Sequence, residues 1–179
     1  MYEYDVIKKI DNYIQCTKDN FASSDQVAVV DVLTALNNGD AIIIALLAKA
    51  LGNNRVIGVL MPNGFELDID DAFKLCEQLN IKYIVCNIDE VVTSVTNSIK
   101  RSMANNYNMI VFNASNQGKV DIVAGIRKTI LDAICQNANG APINTSDTNE
   151  FFFSDVYTSE EADKICEYLG LSKEFTIWR

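Results

Sequence analysis

The first stretch whose residue types suggest chemistry is the polar turn Asn37-Asn38-Gly39-Asp40. Glycine and asparagine tolerate positive φ, so such a turn can aim successive backbone N–H groups at an anion. The same residues can equally form a helix-capping turn, with Asp40 accepting hydrogen bonds from the N–H groups that open the next helix. Capping is the stronger reading, because an aspartate at that point repels phosphate. Further on, Arg127 either binds an anion or pairs with a nearby acid such as Asp132, an exposed contact of small energy. The chain contains no histidine, which excludes mechanisms needing an imidazole base in the isolated chain. Five cysteines, Cys16, Cys76, Cys86, Cys135 and Cys166, are scattered without a C-x-x-C pair. That is the pattern of reduced thiols packed as small hydrophobes, and it makes a zinc site improbable.

The elements that must position these residues alternate. Val6, Ile10 and Ile14 recur at helical spacing and predict an amphipathic helix over Tyr2–Ile14. The β-branched run from Gln26 to Leu33 predicts the first strand, closed by the Asn-Asn-Gly turn. Ala41–Leu51 predicts a buried helix stopped by Gly52, then come a strand over Arg55–Met61 and a helix over Asp68–Leu79 with Asp70 and Asp71 near its start. A strand over Lys82–Ile88, a helix over Asp89–Met103 and a long helix over Val120–Asn137 follow, with Gly140 marking the end of the last. Ala141–Thr145 predicts a short fourth strand, and Ser159–Leu169 a final helix stopped by Gly170. Strands separated by helices imply right-handed crossovers, so the fold class is α/β: a three-layer, Rossmann-like parallel sheet with helices on both faces. Ligands of such sheets bind at the carboxyl ends of the strands, here near the polar connections 113–119 and 145–155.

A length of 179 residues fits one domain, and 49% apolar with 22% charged residues is the composition of a chain that folds. A net charge of −9 repels phosphate backbones and disfavours nucleic acid as a partner. No apolar run is long enough to cross a membrane, and residues 1–20 lack a signal-peptide core, so a cytoplasmic protein is expected.

From Val29 to Gly64 the order is strand, loop, alanine-rich helix closing in Lys49-Ala50-Leu51-Gly52, strand, then Met61-Pro62-Asn63-Gly64. Asp70-Asp71-Ala72, Leu79-Asn80-Ile81-Lys82-Tyr83, Asn87-Ile88-Asp89, Ile126-Arg127-Lys128-Thr129, Thr145 to Glu150 and Tyr168-Leu169-Gly170 continue it. In these residues the chain resembles the ammonia-dependent NAD synthetase family, whose fold is of the adenine nucleotide alpha-hydrolase type with a PP-loop. The resemblance implies a ligase that uses ATP and magnesium to adenylate nicotinic acid adenine dinucleotide before ammonia attacks and AMP leaves. It also implies a homodimer formed through long helices. The family's loop reads S-G-G-x-D-S after the first strand, where this chain places Ala35, Leu36, Asn37, Asn38, Gly39 and Asp40. Both glycines are replaced, and Gly39 falls where the acid belongs. A slip of one residue puts Asp40 on that acid without restoring the glycine pair. The family's paired arginines reduce to Arg127, with Gly125 at the other position. Thr145 matches a threonine near the nucleotide and Glu150 a magnesium-binding glutamate, although a strand-end threonine and an exposed acid are also ordinary structural residues. The segment after Glu150 is shortened, Thr158 stands at a lysine position, and the tail beyond Trp178 is cut short.

These departures lead to the expectation of a catalytically impaired or inactive relative acting as a dimeric structural or interaction protein. The alternatives are a divergent, working synthetase and a sensor that binds an adenine nucleotide without turnover. Ile122, Val123, Ile126, Ile130 and Ile134 line one side of the long helix, either as a dimer seam or as a core face. Phe151-Phe152-Phe153 with Trp178 either plug the vacated substrate pocket or join that seam.

Overall fold

A computed structural model describes residues 2–21, 25–37, 41–64, 69–106, 116–143, 159–172 and 175. The first helix, α1 (Tyr2–Asn20), outruns its predicted end at Ile14. The cause is a longer apolar stripe: Val6, Ile10, Tyr13 and Thr17 are all buried, at intervals of three and four residues. Strand β1 (Val27–Asp31) follows. Ala28 to Asp31 are buried, with side chains on both faces, as a central parallel strand requires.

The predicted first strand is too long. Residues Val32–Asn37 form a short helix, α2, where the β-branched run suggested continued strand and then a turn. Asp31 caps this helix, its Oδ1 accepting the Thr34 N–H at 3.2 Å. Helical winding also turns Val32, Leu33 and Ala35 into the core, where all three are fully buried. Burial and the cap together outweigh the strand preference of Val32.

Helix α3 (Ala41–Leu51) matches its predicted bounds and is buried along most of its length. Strand β2 (Val56–Leu60), helix α4 (Ile69–Gln78), strand β3 (Lys82–Val85) and helix α5 (Asp89–Asn106) come next. The third strand stops three residues short of its predicted end. Beyond it, single bonds from Cys86 N–H to the Leu60 carbonyl and from Ile88 N–H to the Pro62 carbonyl keep the chain beside β2. Helix α6 (Asn116–Ala138), strand β4 (Gly140–Ile143) and helix α7 (Ser159–Leu169) complete the described chain.

The four strands are parallel in the order β3-β2-β1-β4. Side chains alternate across β1, so Ala28 and Val30 join one core while Val29 joins another. The first core, with residues of α1, α2, α3, α4 and α7, covers one face of the sheet. The second gathers Val29, Val59, Met61, Ile88 and Cys135, with Val92 of α5 and Val123, Ile126, Ile130, Leu131 and Ile134 of α6 packed against them. Helices therefore cover both faces, in the three-layer α/β arrangement the alternation predicts.

Helix ends follow local chemistry. Gly52 and Gly170 take φ of 86° and 68°, as their positions predict. At Gly170 the end is a double bond pattern: Gly170 N–H to the Glu167 carbonyl and Leu171 N–H to the Cys166 carbonyl. Asn80, with φ 50°, closes α4 in the same way. Gly140 departs from its predicted role. The left-handed residue after α6 is Asn139, with φ 50°, and Gly140 opens β4. A glycine is needed there for closeness: a Cβ would lie 2.7 Å from Val29 Cγ2 and 3.3 Å from Cys135 Cα.

Candidate functional site: a closed strand-end crevice

The chain runs from β1 to β2 to β3 in one direction, whereas β4 lies on the other side of β1. The direction therefore reverses between β1 and β4, the boundary at which open parallel sheets form a ligand crevice outside their carboxyl ends. Asp31, the last residue of β1, stands at that boundary.

Asp31 is buried although charged, and it is fully engaged. While Oδ1 caps α2, Oδ2 accepts the Thr34 hydroxyl at 2.6 Å and Arg127 Nη1 at 3.1 Å. Arg127 reaches in from α6. Its Nη1 also donates to Thr34 Oγ1 at 2.6 Å, and its Nη2 donates to the Met61 carbonyl, just past β2, at 3.0 Å. The inventory is self-consistent: the Thr34 hydroxyl gives its one proton to Asp31 and accepts from Arg127, while Nη1 divides its two protons between them. Only 14% of the Arg127 side chain and 9% of the Asp31 side chain reach solvent, so this is a buried ion pair rather than a surface one.

The readings of the sequence are sorted by this geometry. Arg127 does lie at the strand ends, but its acid is Asp31; Asp132 instead pairs with the exposed Lys128, one helical turn away, at 3.1 Å. Ala35, Leu36 and Asn37 are helical and do not form a loop after the strand. Ala35 is fully buried, and Leu36 packs against the first core instead of projecting into a phosphate site. Asn38, Gly39 and Asp40 lie outside the described residues, as do Thr145, Glu150, Thr158, the Phe151-Phe152-Phe153 run and Trp178. A Cβ at Gly125, the second arginine position, would meet nothing within 4 Å, so space does not force the glycine there.

Three members of the crevice, Asp31, Thr34 and the Met61 carbonyl, were not singled out from the sequence. A signal existed: an acid inside an otherwise apolar run must end an element or find a partner, and Asp31-x-x-Thr34 is the spacing of an N-cap and its third residue.

The chemistry available to this arrangement is narrow. The Asp31 carboxylate, the Thr34 hydroxyl and Arg127 Nη1 and Nη2 are engaged with one another or with the Met61 carbonyl, whereas the buried Arg127 Nε makes no hydrogen bond. The described residues therefore do not fit a polyphosphate as they stand. Cysteines offer no nucleophile in the cores. Burial, aided by the Glu77 carboxylate, pushes the Cys76 thiol up to about 12, and burial with Asp132 raises Cys135. Among the described residues no group of three or more cysteine, aspartate or glutamate side chains is placed to hold a metal. A shallow open pocket lined by Asp132, Cys135, Gln136, Asn139 and Gly140 sits at the amino end of β4, the opposite end of the sheet from the crevice.

Comparison with known proteins bears on the whole chain. The profile of the family described as NAD synthase matches residues 9–167. Among characterised sequences, the NH(3)-dependent NAD(+) synthetase of Thermococcus sibiricus is 26% identical over 168 residues, which are 93% of this chain and 59% of that protein. That of Thermococcus kodakarensis is 30% identical over 131 residues, 70% of this chain and 44% of the relative. The chain thus spans about half of the length of these relatives. Among solved structures, the NH3-dependent NAD synthetase of Campylobacter jejuni superposes with a TM-score of 0.74 at 18% identity, covering 96% of this chain and 76% of that one. The NMN synthetase of Francisella tularensis gives 0.71 at 16% identity over 96% and 74% of the respective chains. At such identities the superpositions establish the fold.

Proposed function

The chain belongs to the NAD synthase family, and on that premise we propose that it is a catalytically impaired member, a single domain serving as a dimeric structural or interaction protein of the cytoplasm. The observation carrying this reading is the commitment of Arg127. Arg127, the one arginine at the strand ends among the described residues, already donates to Asp31, Thr34 and the Met61 carbonyl. Clamping a phosphate would require breaking a buried ion pair. The helical winding of Val32–Asn37 supports the same reading, because Ala35 and Leu36, at the start of the position of the family loop, are wound into a helix packed on the first core.

Support for the dimer comes from half-covered apolar faces. Ile122, Val123, Ile126 and Ile130 of α6 are only partly buried in one chain, and Cys135 is the sole described residue of that helix to be fully buried. Val91 and Val95 of the neighbouring α5 are exposed. A second copy laid along α5 and α6 would cover this surface, and sedimentation at rising concentration tests it. No helix among the described residues is long and apolar enough to cross a membrane.

The second reading is a divergent ammonia-dependent synthetase acting with ATP and magnesium on nicotinic acid adenine dinucleotide. It is favoured by a family match that runs through nearly all of the chain. AMP release, measured with ATP, magnesium, ammonia and the dinucleotide, separates the two. We expect none; turnover lost in Arg127→Ala would overturn the impaired reading. Calorimetric binding of ATP or AMP without AMP release would instead describe a nucleotide sensor.

A further inference from the structure

We propose that Asp31 is the residue that closes the crevice between β1 and β4 to anions, its carboxylate filling from within the chain the place a ligand phosphate would take. The proposal rests on the impaired-site reading and deepens it by naming the residue responsible and the ligand class excluded.

Three donors converge on the Asp31 carboxylate: the Thr34 N–H at 3.2 Å, the Thr34 hydroxyl at 2.6 Å and Arg127 Nη1 at 3.1 Å. A backbone amide on Oδ1 and a hydroxyl and a guanidinium on Oδ2 are the kinds of donor that hold an oxyanion. The anion they hold is covalently part of β1. Capping accounts for an acid at position 31, but the ion pair itself is not required for stability, since buried pairs are often replaced by apolar side chains without loss. Position accounts for the pair, because it sits where the strand order reverses. With Asp31 in place a phosphate meets like charge and a guanidinium already engaged. Without it, the three donors lose the carboxylate on which they converge.

The test uses the full chain and inorganic phosphate as the probe, with chloride at matched ionic strength as the reference. In Asp31→Ala, phosphate should raise the melting temperature and bind roughly ten- to a hundred-fold more tightly than in the unaltered chain, the worth of one charge-assisted hydrogen bond. The double variant Asp31→Ala/Arg127→Met should lose that gain. Asp31→Ser, which keeps an oxygen to cap α2, serves in the same way if the alanine variant does not fold. Equal phosphate affinity in the unaltered chain and either folded variant overturns the proposal, as does a gain that persists without Arg127. This readout needs no turnover, so it is distinct from the fate of the impaired reading. AMP release by the unaltered chain would sink that reading, whereas an unresponsive Asp31→Ala would sink only the assignment of Asp31.

Discussion

Replacing Asp31 by alanine removes a helix cap and leaves a buried guanidinium without its counter-charge, and each loss has a known scale. The cap contributes about 1 kcal/mol through the Thr34 N–H. Breaking a buried pair by deleting one partner costs about 3–5 kcal/mol in all, because the surviving charge remains desolvated. The reverse change is milder. In Arg127→Ala the Asp31 carboxylate keeps the Thr34 N–H and hydroxyl, so the expected cost is about 2–3 kcal/mol, the worth of a hydrogen bond to a charged group plus the freed Met61 carbonyl. The double alanine variant removes both charges together. Its loss should fall about 1–3 kcal/mol short of the sum of the single losses, a coupling typical of groups in one network. Urea unfolding followed by far-UV circular dichroism measures all four proteins. Single losses that add to within about 0.5 kcal/mol would show that the two residues do not interact, and the crevice as described would be wrong.

Two further outcomes follow from the packing. Gly140→Ala would set a Cβ 2.7 Å from Val29 Cγ2 and 3.3 Å from two backbone atoms, so it should destabilise by about 1–3 kcal/mol. Gly125→Ala, in open space within α6, should instead be neutral or stabilising by up to about 1 kcal/mol; equal effects in urea melts would refute the distinction. Alkaline stability is the second. Burial pushes Cys76 from 9.0 and Tyr13 from 10.0 up to about 12, the latter against an opposing hydrogen bond with Thr17. Both groups stay neutral in the folded chain while the unfolded chain ionises first, so stability is intact below pH 9 and falls as pH rises toward 12. Each group contributes a slope of about 1.4 kcal/mol per pH unit. Melts from pH 8 to 11 should show the decline, and Cys76→Ala with Tyr13→Phe should flatten it; an unchanged slope in the double variant would refute the assignment.

Periodicity was enough to read the layers. Helix α3 and the stop residues Gly52 and Gly170 lie where composition and turn chemistry put them, because each depends on local preferences that tertiary packing reinforces. The failures lie where a distant partner decides. Val32 is a strand former by type, yet Asp31 ends the strand because its carboxylate can cap a helix and meet an arginine 96 positions away. That partnership is invisible in a linear reading, which offered Asp132 to Arg127 because it is near in sequence. Asn139 and Gly140 exchange expected roles for a related reason: close approach to Val29 demands a missing side chain, and only the assembled sheet brings Val29 there. The choice between capping and anion binding at Asn37-Asn38-Gly39-Asp40 falls mostly on residues 38–40, outside the described ones.

The placement of β1 has a consequence for synthesis. Its two hydrogen-bonding edges are taken by β2, soon after it in the chain, and by β4, Gly140–Ile143, which follows only after β2, β3 and helices α3 to α6. On the ribosome the central strand therefore waits with one edge bare while those elements are made. Closure of that gap is a long-range event that loop entropy slows, so the interval before it is when a nascent chain most needs protection from its neighbours.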